Sequence, residues 1–98
     1  MNIPDTGIES PRVRVVLTGA LLQLFPSARS NIDVRAATVD ELLSVLDRQW
    51  PGMRDRLTDT TPSIRRHINV FVDGKRASLE TPLVDGVTVY VLTAMSGG

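Results

Sequence analysis

One stretch limits the possible folds of this chain more than any other. Thr38 is followed three residues later by Glu41, the spacing of a capping box. Val39, Leu42, Leu43, Leu46 and Trp50 then recur at helical spacing, while Asp40, Glu41, Asp47 and Arg48 fall on the other side. Pro51 and Gly52 stop the pattern. The sequence therefore predicts a helix over residues 38–50 with a single apolar stripe. Burying that stripe against a sheet is worth about 1.5–3 kcal/mol per large side chain, so whatever packs under it sets the fold.

Short β-branched runs lie on both sides of this helix. Residues 12–18 alternate at their start and predict a strand with Val13, Val15 and Leu17 inward; residues 31–35 predict a second, with Ile32 and Val34 inward. Between them Gly19 breaks the pattern. Residues 20–25 are too short to separate a helical turn from a packed loop. Residues 53–57 read as another short turn and 58–63 as a polar loop. Residues 67–72 form a third strand, Asp73-Gly74 a hairpin turn, and residues 75–79 a short, charged edge strand. After a compact turn over 81–86, residues 87–92 form a final strand dense in β-branched residues, which suits a central position. The expected class is α+β: a mixed sheet with one main helix across one face, the first and last strands side by side in its middle.

Composition narrows the function. The chain has 98 residues, enough for one domain with a modest core but not for a deep cleft between lobes. Its eleven basic residues are balanced by eleven acidic ones, which argues against nucleic acid or an anionic membrane as the main partner. Without cysteine there is no disulfide framework, thiolate metal site or cysteine nucleophile. The amino end has neither a basic nor an apolar targeting segment, and no run is long enough to span a membrane. A soluble, cytoplasmic protein is the expectation, divided into an amino-terminal arm (1–11), a folded domain (12–93) and a carboxyl-terminal tail (94–98).

That tail, Ala94-Met95-Ser96-Gly97-Gly98, is made of small residues apart from Met95 and ends on two glycines. With no Cβ on Gly97 or Gly98, the backbone can pass through a narrow channel and approach a nucleotide closely. The turn Thr81-Pro82-Leu83-Val84-Asp85-Gly86, the strand after it and the terminal Gly97-Gly98 together resemble the sulfur-carrier family of the molybdopterin-synthase small subunit and the thiamine sulfur carrier, which has the ubiquitin-like β-grasp fold. The resemblance covers residues 12–98. Its middle, from Trp50 to Leu57 and from Arg66 to Asp73, is similar to a longer branch that includes carriers feeding sulfide into cysteine biosynthesis. Thr93-Ala94 stands where the molybdopterin branch commonly has Pro-Pro, and Met95-Ser96 where valine with a small residue is usual.

The resemblance implies a specific chemistry at Gly98. A partner activating enzyme of the E1-like adenylating kind would consume ATP to convert the carboxylate to an acyl-adenylate, and a sulfur donor would displace it to give a thiocarboxylate. The carrier itself would bind no cofactor and need no catalytic side chain. The acceptor would be a synthase, either cysteine-synthase-like or a molybdopterin-synthase large subunit. A ubiquitin-like modifier or interaction module using the same Gly97-Gly98 end is the alternative, because both chemistries begin with the same adenylate.

Other candidates carry less. His67 beside Arg65 and Arg66 reads as a solvated strand end, Trp50 as core, and Asp55 and Asp59 as loop acids without a partner for acid–base work. The Arg65-Arg66 pair suits a solvated loop or an acidic partner surface. If Val13, Val15, Ile68, Val70 and Val72 face the helix, then Val16, Phe71 and one of the two alternating sets of the last strand, Tyr90 and Leu92 if Val89 and Val91 are inward, lie on the opposite sheet face. Phe71, Tyr90 and Leu92, with Ala94, Met95 and Ser96 of the tail, are thus the candidate partner-binding residues, unless the amino arm or residues 20–25 cover that face.

Overall fold

A computed structural model describes residues 10–61 and 63–93. Its elements run β1 (Arg12–Leu17), α1 (Ala20–Leu24), β2 (Asn31–Arg35), α2 (Val39–Gln49), α3 (Met53–Leu57), β3 (Ile68–Val72), β4 (Lys75–Arg76) and β5 (Thr88–Thr93). The five strands form one mixed sheet in the order β2-β1-β5-β3-β4. β1 and β5 are parallel in the middle, with β2 antiparallel to β1 and β3 antiparallel to β5. The α+β reading with paired first and last strands therefore holds.

The helix predicted from the apolar stripe is α2. Thr38 Oγ1 accepts the Glu41 N–H at 3.1 Å, while the Glu41 carboxylate accepts from the Ala37 N–H at 2.6 Å, one residue before the cap itself. Val39, Leu42, Leu43 and Leu46 are fully buried against Val13, Val15, Leu17, Val70, Val89 and Val91. Trp50, expected in the core, lies at its margin: it is half-buried, and its indole N–H donates to Ser27 Oγ at 3.1 Å.

Four further local readings are settled or changed. Residues 20–25 resolve into the short helix α1, which buries Leu21 against the core. Residues 53–57 form α3, in which Met53 and Leu57 are fully buried, so Asp55 sits on a helix and not in a loop. α3 begins at Gly52, in the left-handed region at φ 97°, and its first amides are held by the end of α2: Asp47 Oδ1 accepts from Gly52 N and Arg54 N at 3.0 and 3.1 Å. Arg54 then reaches back to α2, donating to Asp40 O and Ser44 Oγ and pairing with the Asp40 carboxylate.

The edge strand expected over residues 75–79 stops at Arg76. Beyond it the chain turns inward to bury Leu79, whose carbonyl accepts the Asp40 N–H at 2.9 Å. Burying Leu79 and satisfying the first turn of α2 outweigh one more rung of an edge ladder. The Asp73-Gly74 turn takes positive φ at both residues (54° and 79°), the geometry of a two-residue hairpin.

Residues 10 and 11, read from the sequence as the end of the arm, are tied to β2 and the residue after it. Ser10 O accepts from Arg35 and Pro11 O from the Ala36 N–H. The turn over 81–86 docks on the start of β1. Asp85 Oδ1 accepts the Arg12 N–H, the Gly86 N–H donates to Arg12 O, and Leu83 is buried. These bonds set β5 in register beside β1.

Candidate functional site

β5 pairs with β1 as far as Val91 and with β3 as far as its last residue, Thr93, which lies opposite Ile68. On the other side is the corner that follows β1. Gly19 there takes φ 63° and ψ −132°, a conformation that suits glycine alone, and a Cβ on it would lie 3.0 Å from Thr93 Oγ1. Glycine at 19 thus lets the corner close onto the end of β5. Thr93 Oγ1 is buried there with no hydrogen-bond partner among the described residues. The root of the tail is consequently a packed, fixed point between two elements. The sequence reading treated Gly19 only as a strand breaker; its close contact joins residues 74 positions apart and leaves no local signal.

The strand registers settle the outer sheet face. Val16 lies opposite Tyr90 and Tyr90 opposite Phe71, making one row across β1, β5 and β3. Leu92 is the next outward residue of β5, opposite Asn69, and Arg76 of β4 extends the row beyond Phe71. Tyr90 is 44% exposed, and Val16, Phe71 and Leu92 are half-buried. α1 does not cover this face: Leu21 is in the core, and Leu22 and Phe25 pack against it. The candidate binding residues Phe71, Tyr90 and Leu92 are therefore brought together. Ala94, Met95, Ser96, Gly97 and Gly98 lie outside the described residues.

The remaining polar candidates stay apart. His67 is exposed at the residue before β3. Asp59 organises its own loop, accepting from Thr61 N at 2.9 Å, Ser63 N at 3.0 Å and the Thr61 hydroxyl. Those bonds, the Thr61 hydroxyl foremost, hold its carboxyl below the ordinary 3.8. Among the described residues no group of histidine, aspartate and glutamate could hold a metal ion. No helix among them is long and apolar enough to cross a membrane.

The profile of the ThiS family matches residues 15–98, from the second inward residue of β1 to the final glycine. The chain belongs to the ThiS family. Solved structures agree with the fold. CysO in the BexX/CysO complex of Amycolatopsis orientalis superposes with a TM-score of 0.76 at 27% identity, covering 88% of this chain and 99% of that one. SAMP1 of Haloferax volcanii gives 0.75 at 24%, covering 89% and 99%. CysO of Mycobacterium tuberculosis gives 0.73 at 22%, covering 85% and 99%. No curated protein sequence matches the chain. Family and fold together make this a small ubiquitin-like protein of the carrier or modifier kind.

Proposed function

We propose that this ThiS-family chain is a sulfur carrier, a protein co-substrate whose reactive group is the carboxylate of Gly98. The observation that supports it most is positional. The family match runs through Gly97-Gly98, and residues 94–98 follow directly from the central strand of the sheet, at a root packed by Gly19 and paired with Ile68. An activating enzyme would let the carboxylate attack the α-phosphorus of ATP, with pyrophosphate leaving. Hydrosulfide attack on the acyl carbon of that adenylate would expel AMP and give the thiocarboxylate and a proton. The thiocarboxylate is a soft nucleophile presented on a rigid handle; the acyl carbon is that of Gly98, and its activation is the work of the partner, not of a side chain of this domain.

Val16, Phe71, Tyr90 and Leu92 serve in this reading as the face on which the activating enzyme and the acceptor dock in turn. CysO of Amycolatopsis orientalis was solved in complex with BexX, a protein partner. The middle of the sequence, similar to the branch that includes carriers for cysteine biosynthesis, favours a cysteine-synthase-like acceptor over a molybdopterin-synthase large subunit. The test is intact mass after incubation with ATP, a sulfide source and the cognate activating enzyme: a gain of about 16 Da confined to the terminal peptide is expected. An unchanged mass overturns the carrier reading. An isopeptide remnant on a target lysine would assign the chain to protein modification instead. Phe71→Asp should leave the fold intact and abolish the mass gain, whereas an undiminished gain would remove the outer face from the docking surface.

A further inference from the structure

A groove of about 300 Å³ opens on the side of β3 away from β5, between the segment that leads into β3 and the chain after β4. It exists because β4 is so short. β4 pairs with Phe71 and Val72 only, Ala77 N–H donates to Val70 O at 2.7 Å, and the chain then dives to bury Leu79. Among the described residues no strand lies beside Ile68 and Asn69 on this edge. The Ile68 N–H on this edge already donates to Arg65 O at 2.9 Å, so an extended segment laid here is held by side chains more than by a backbone ladder.

The lining specifies which strand. Ile64 and Leu79 supply apolar surface, and Arg65, Arg66 and Arg76 supply three guanidinium groups. Arg65 Nε donates to the Asp55 carbonyl at 3.0 Å, while the side chains of Arg66 and Arg76 make no hydrogen bond or ion pair among the described residues. The single carboxylate in the lining is Glu80, which accepts from Ser78 Oγ at 3.0 Å. A chain balanced in charge overall thus gathers three arginines against one glutamate around this groove, with Arg65 also in the field of the Asp59 carboxylate.

We propose that this groove takes an extended acidic segment of a partner protein, laid along the start of β3 with its carboxylates between Arg65, Arg66 and Arg76. Carboxylates suit the site because guanidinium groups bind them through paired, directional hydrogen bonds. A nucleic acid would call for a broader basic field without Glu80 inside it. Position adds to the case: Ile68 lies opposite Thr93, so a segment laid along the far side of β3 is two strand spacings, about 10 Å, from the root of the tail. The site is nevertheless independent of sulfur chemistry and stands or falls without it.

The experiment is amide-shift mapping on the full chain, titrated with a capped hexaglutamate peptide at low salt and again at 0.3 M salt. Shifts centred on Arg66, Ile68, Asn69, Ala77 and Glu80 are expected, with binding that weakens in salt. Arg66→Glu combined with Arg76→Glu should weaken it about tenfold or more, while Arg12→Glu combined with Arg35→Glu, at the far edge of the sheet, should change it less than about twofold. Three results overturn the proposal: a capped hexalysine peptide producing the same shifts, shifts centred elsewhere, or equal losses in the two double variants. Tighter binding of a ten-residue oligothymidylate at the same amides would overturn the choice of an acidic protein segment.

Discussion

Gly19 fixes how the two middle strands end, through a hydrogen atom where any other residue carries carbon. Gly19→Ala must adopt φ +63° and bring its methyl to 3.0 Å from Thr93 Oγ1, so a loss of about 1–3 kcal/mol is expected in urea denaturation. Thr93→Val makes the opposite prediction. Its buried hydroxyl has no partner among the described residues, so an isosteric methyl should be neutral or stabilising by up to about 1 kcal/mol. A clear loss of stability would mean that the hydroxyl is satisfied in solution. Asp59 provides the pH-dependent case. Its folded carboxyl is held below 3.8 by the bonds from Thr61 and Ser63. Its contribution is therefore present above that value and is lost as pH falls through the lower, folded one. A carboxyl titration followed by NMR should show its midpoint below 3.8, and Asp59→Asn should remove that part of the acid dependence.

Among the elements, α2 carries its own instructions and α3 borrows them. The Thr38 cap, the Glu41 back-bond and the buried stripe are all set by spacing within a dozen residues, which is why α2 could be read with its cap and end in place. Leu46→Ala, at a fully buried position, should cost about 2–5 kcal/mol by thermal or chemical unfolding. α3 has five residues and no cap of its own; Asp47 supplies it from α2. Asp47→Ala should therefore cost about 1–2 kcal/mol and speed amide exchange at Gly52 and Arg54 while leaving exchange at the centre of α2 unchanged. Nothing in residues 53–57 alone separates a helix from a turn, because the deciding acceptor belongs to another element. β4 shows the same limit: residues 75–79 have the polarity of an edge strand, and only the pull of Leu79 into the core ends it at Arg76.

At the scale of the molecule, the sheet order turns alternation into two different faces. One is closed by α2; the other presents Val16, Tyr90, Phe71 and Leu92 in a contiguous patch beside the end of β5. Much of this is legible in the sequence, since strand alternation is a local property and the inward sets of β1 and β3 follow from it directly; β5 is apolar on both faces, and only its pairing shows that Val89 and Val91 point inward. The sequence by itself determined the class of fold, the main helix with its cap, the inward side chains of β1 and β3, and the terminal glycines on which the proposed chemistry rests. Each depends on spacing or identity within a short segment. Tertiary structure alone decided the packing of Gly19 on Thr93, the capping of α3 by Asp47, the early end of β4 and the arginine-lined groove it leaves along β3. Each of these brings together residues whose proximity is set by the sheet order and by competition for the core, and neither is encoded at any one position.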